Sequence, residues 1–123
     1  MAKQQNRNVI QGSSFLVMAY IWQWGKTDAP RYPGGPTEQG RARQPAAPTD
    51  ATVVLKSYES EELIPIGPGG ITQAECDIDG HEVSYVIDGE YLQEIGQYRV
   101  GLFVTLPDGR TKIESMILRV NAL

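Results

Sequence analysis

The side chains best suited to chemistry are few and lie close together. Asp77, Asp79 and His81 fall within five positions, and Asp88 and Glu90 follow shortly after. Carboxylates in a loop bind calcium when several oxygen ligands recur at defined spacing. Here Asp77-x-Asp79-Gly80 departs from that pattern, and the twelfth position counted from Asp77 is Asp88 rather than a bidentate Glu. The segment reads as a solvated acidic hairpin, with no metal ligands and no cofactor expected. His81 is the single histidine and Cys76 the single cysteine. An internal disulfide and a cysteine zinc cluster are therefore excluded, and Cys76 reads as a small, half-buried strand residue. No Ser/His/Asp set can be argued, since nothing suggests a pocket that would gather its members. Gly67-Pro68-Gly69-Gly70 lacks the following Lys and helix of a phosphate loop and reads as a turn. No catalytic residue is expected, and the chain does not read as an enzyme.

A second group of residues suits binding. Tyr20, Trp22, Trp24 and Tyr32 are interleaved with Arg31, Arg41 and Arg43. Tyr, Trp and Arg are enriched where proteins meet, so these residues are candidates for an interface. The same flat aromatic faces could serve as a glycan platform. Charge is segregated along the chain. Residues 1–50 carry six basic and three acidic side chains, and residues 51–123 carry five basic and twelve acidic ones. An acidic body argues against nucleic acid as the main partner. The asymmetry allows Arg31, Arg41 and Arg43 of one subunit to meet Glu59, Glu61 and Glu62 of a neighbour.

The elements that position these residues read as strands. The 123-residue chain fits one domain with an ordinary proportion of apolar residues. Residues 1–12 are polar and read as an N-terminal arm, leaving residues 13–123 as the single domain. The most apolar run, residues 15–24, is ten residues long against the roughly twenty a membrane span requires. It also lacks the flanks expected of a leader. Residues 14–24 predict a strand apolar on both faces, with Phe15, Val17, Ala19 and Ile21 on one side and Leu16, Met18, Tyr20, Trp22 and Trp24 on the other. Residues 25–50 hold five prolines and a Gly-Gly pair and read as a long loop. Further strands are expected at 52–58, 71–78, 82–87, 97–106 and 111–120. Turns fall at Asp79-Gly80 and at Pro107-Asp108-Gly109, and a short apolar run spans 63–66. The pattern predicts an all-β, immunoglobulin-like β-sandwich of about seven strands.

The most specific local feature is Glu94-Ile95-Gly96-Gln97-Tyr98. An acidic residue, a small one two later and a Tyr two after that mark the corner before the sixth strand of immunoglobulin-type sandwiches. There the Tyr hydroxyl bonds back to local backbone. Val100 takes the place that carries a cysteine in antibody domains and reads as core. Beyond the corner, residues 52–121 resemble the N-terminal immunoglobulin-like domain of the baseplate upper proteins, and related small accessory proteins, of tailed bacteriophages. The similar stretches are 51–56, 88–98 and 103–109, and residues 14–24 match the preceding strand. The loop at 25–50 is longer than the short turn of that family. The resemblance carries no catalytic residues. It implies a non-enzymatic virion protein, assembled in the host cytoplasm, that oligomerises and joins neighbouring virion proteins in the tail, baseplate or head–tail neck. A capsid cement protein and a glycan-binding module are the other readings.

Overall fold

The computed structural model describes the backbone of residues 5–30 and 37–123, and side chains for residues 7–23 and 43–123. Eleven strands run in chain order: β1 (Gln5–Ile10), β2 (Phe15–Tyr20), β3 (Trp22–Pro30), β4 (Thr37–Pro45), β5 (Asp50–Ser57), β6 (Leu63–Ile64), β7 (Gln73–Glu75), β8 (Asp77–Asp79), β9 (Glu82–Ile87), β10 (Gly96–Thr105) and β11 (Thr111–Asn121). Two sheets pack as a sandwich. The larger has the order β1-β11-β10-β5-β6, with β7 also on β5, and the smaller has the order β2-β9-β8. The protein is an all-β sandwich.

Alternation builds the core. Tyr98, Val100, Leu102 and Val104 of β10 are buried, while Phe103 between them is partly exposed. They meet Val53 and Leu55 of β5, Leu118 and Val120 of β11, and Val17, Val83 and Ile87 of the smaller sheet. Two apolar inner faces pressed together are what hold such a sandwich. On β2, the residues expected inside are inside: Val17 and the following Ile21 are fully buried, and Phe15 and Ala19 pack against the core. Leu16, Met18 and Tyr20 face outward.

Four expectations are corrected. The run 14–24 is two strands rather than one, broken at Ile21. The Ile21 N–H donates to the His81 carbonyl, and the Ile21 carbonyl accepts from Ala46 N–H. Beyond this pivot β3 leaves the sandwich and pairs with β4 alone. The stretch 25–50 is therefore a β-ribbon for most of its length and not a loop. Its paired register places Pro30 and Pro45 at strand ends, where a missing N–H costs little, and each strand of a two-stranded ribbon is an edge that tolerates proline. Pro33 and Pro36 lie outside the described residues. Thirdly, the segment read as an arm holds β1, which runs parallel to β11 with Gln5 opposite Met116 and Ile10 opposite Asn121. Val9 packs against the core from this edge.

The expected strand 71–78 is likewise divided. β7 belongs to the larger sheet and β8 to the smaller, and Cys76 is the crossing point, with its N–H donating to the Ala51 carbonyl. Both predicted turns are present. Gly80 closes β8–β9, and at Gly109 a φ of +89° lets its N–H reach the Leu106 carbonyl at 2.9 Å.

Candidate functional site

The two ends of the sandwich differ in chemistry. At one end the Tyr98 hydroxyl donates to the Glu94 carbonyl at 2.8 Å, forming the expected corner with Gly96 at its bend. Burial, then the nearby Glu94 carboxylate, raises the Tyr98 phenol above its ordinary pKa. The turn between β1 and β2 locks onto this end. Gly12 N–H donates to the Leu92 carbonyl, Gly89 N–H donates to Ser14 Oγ, and Gln11 Nε2 donates to the Gln93 carbonyl. Gly89 must be glycine, because a Cβ there would overlap the Gly12 carbonyl. The two loops here, residues 57–66 and 88–97, carry six carboxylates and no Lys or Arg. Glu59, Glu61 and Glu62 are exposed on the first of them.

The opposite end carries the root of the β3–β4 ribbon. The Trp22 ring stands edge-on to His81 with centroids 5.4 Å apart, and the Arg43 guanidinium lies over it at 5.4 Å. The Tyr20 ring is also against His81, at 5.5 Å. Lys112 Nζ donates to the Trp22 carbonyl at 3.1 Å and pairs with Glu114 at 3.2 Å. Between β2 and β11 these groups border an open groove of about 490 Å³, to which Arg7 and Met18 also contribute. Along the ribbon, Trp24 stands opposite Arg43 and Lys26 opposite Arg41.

The expected interface set is brought together in part. Trp22 and Arg43 are in contact, and Trp24 and Arg41 join them by register, their side chains lying outside the described residues. Arg31 and Tyr32 fall outside the described residues altogether. Glu59, Glu61 and Glu62 stand at the far end of the same subunit from Arg43. What the residue pattern alone missed is the centre of the aromatic cluster, His81. Its signal was its place one residue after the Gly80 turn, across the end of the strand that leads to Trp22.

Asp79 and His81 flank one turn, whereas Asp88 and Glu90 follow β9 at the other end, roughly 20 Å away at the rise of a strand. Among the described residues no group of three or more His, Cys, Asp or Glu is placed to hold a metal ion. Asp88 instead accepts from Glu90 N–H in a short turn. Burial, then Asp77 and Asp50, push the Cys76 thiol up to about 11. No helix among the described residues is long and apolar enough to cross a membrane, which says nothing of strands. No protein-family model matches the chain, and no curated protein matches it.

Proposed function

We propose that the chain is a non-enzymatic structural protein of a tailed bacteriophage virion, which assembles with itself and with neighbouring virion proteins in the tail, baseplate or head–tail neck. The observation that carries this reading is the ribbon. It leaves the sandwich at Ile21, pairs with no other sheet among the described residues, and sets Trp24 opposite Arg43 and Lys26 opposite Arg41 in its register. A surface of that composition serves association better than catalysis, because Trp, Tyr and Arg contribute most where they are buried at contacts. The corner at Tyr98 supports the immunoglobulin-type part of the resemblance. Antibody to the recombinant protein should decorate the tail, baseplate or neck of intact particles in immunogold electron microscopy. Label over the head would favour the capsid cement reading, and particles free of the protein would defeat the proposal.

A glycan-binding reading has one observation in its favour. Tyr20 is 55% exposed beside His81 and Trp22, which offers a flat apolar surface at a groove. Binding on a glycan array that is lost in Trp22→Ala would favour this module over a purely structural role.

A further inference from the structure

The groove at the ribbon root has a chemical complement on the same molecule, at the other end. Arg43 and Lys112 line the groove with a single carboxylate, Glu114, which Lys112 pairs. Tyr20, Trp22 and Met18 supply its apolar surface. The β5–β6 loop presents the opposite set. Glu59, Glu61 and Glu62 are exposed there, between Tyr58 at 40% and Leu63 at 45% exposure. The loop is held in shape rather than left free. Ser57 N–H donates to the Glu62 carbonyl, Glu61 N–H donates to the Ser57 carbonyl, and Glu61 adopts a left-handed φ of +57°. A loop already fixed loses little further entropy when it docks.

We infer that the groove bounded by Tyr20, Trp22, Arg43 and Lys112 receives the Glu59–Leu63 loop of a second copy, joining subunits head to tail. The inference rests on the assembly reading above and names its contact and direction. On β10, Val104 opposite Lys112 and Tyr98 opposite Ser57 are six residues apart, so the cationic rim of the groove and the root of the loop stand about 20 Å apart at strand rise and one copy's loop does not reach its own Arg43. A contact between two different surfaces is heterologous and propagates into a ring or a filament. Carboxylates of the loop meet Arg43, and Leu63 meets the aromatic wall. Charge then sets the direction, since loop against loop would place like charges together. The chain's own first residues are the rival occupant, but Lys3 among them matches the groove in sign instead of complementing it.

The test is sedimentation velocity of the full chain across a concentration series, with circular dichroism as the folding control. Arg43→Glu should weaken self-association by about tenfold or more, and the double variant Glu59→Lys with Glu62→Lys should do the same. Mixing the two variants should restore association, because each reversed groove then meets a reversed loop. Wild-type protein that associates while both variants associate equally well would overturn the contact and leave the assembly reading standing. So would association abolished by removal of residues 1–4 but not by charge reversal. Wild-type protein that stays monomeric throughout would overturn self-assembly itself.

Discussion

The corner end and the ribbon end are closed by different means. At the corner, backbone and side-chain hydrogen bonds run from the β1–β2 turn to residues 88–98, and Leu92 is fully buried beneath them. At the ribbon end the tie to the sandwich is a few bonds about Ile21, Ala46 and Lys112, after which β3 and β4 pair with each other. One end is tied by bonds between its own loops. The other carries its backbone pairing outward on a separate element and leaves aromatic and cationic groups at the surface. Stability should therefore concentrate at the corner and association at the ribbon.

Substitutions can break this contrast. The largest effect is expected at Leu92, which fills the core under the corner. Leu92→Ala should cost about 2–5 kcal/mol in urea unfolding, the range for deleting a buried leucine side chain. A loss no greater than that of an exposed site would show the corner to be peripheral. A smaller effect is expected from Tyr98→Phe, which removes the bond to the Glu94 carbonyl and keeps the ring. It should cost roughly 0.5–1.5 kcal/mol. An unchanged unfolding midpoint would mean that the bond contributes nothing and that the ring alone builds the corner.

Nearer the ribbon end, the half-buried Cys76 gives a pH-dependent prediction. Its thiol is raised from 9.0 to about 11. Between those values the unfolded chain releases a proton that the folded chain keeps, so stability is fully present below pH 9 and is lost as pH rises towards 11. The upper bound is about 2.7 kcal/mol, and partial solvent exposure reduces it to roughly 1 kcal/mol. Tyr98 titrates in the same direction, so Cys76→Ala is needed to isolate the thiol. The variant should lose less stability than wild type on going from pH 8 to near pH 11. Parallel losses would place the alkaline sensitivity elsewhere.

Much of the sandwich was legible because its signals are local. Alternation along Tyr98, Val100, Leu102 and Val104 marks one buried face, and the Pro107-Asp108-Gly109 turn carries its own geometry. What could not be read was where a strand changes partner. Nothing in the apolar run 14–24 says that the chain pivots at Ile21, because both of its strands are rich in aromatic and β-branched residues. Cys76 conceals a similar change of sheet. The ribbon was hidden by its prolines, whose cost depends on whether a ladder bond is required at their register. The site was legible as an inventory, with Trp22 and Arg43 both named. That Arg43 lies over Trp22, and that His81 meets both Tyr20 and Trp22, depends on the fold.

The smallest effect on stability, and the sharpest separation of the two ends, is expected when the ribbon is cut away. Residues 24–43 can be replaced by a short Asn-Gly turn that joins Gln23 to Gln44, which stand opposite each other in the β3–β4 register. The bonds at the root survive this excision: Ile21 to His81, Ala46 to Ile21 and Lys112 to the Trp22 carbonyl. Among the residues whose side chains are described, none of the buried cluster is removed. The two-residue turn suits a hairpin of right-handed twist. Unfolding free energy should therefore stay within about 0.5 kcal/mol of wild type, the range of changes away from packed or bonded groups. Association should fall sharply, because Arg43 is lost from the groove. A truncated protein that unfolds early would show that the ribbon helps to hold the sandwich, and one that assembles as before would remove the ribbon end from the contact.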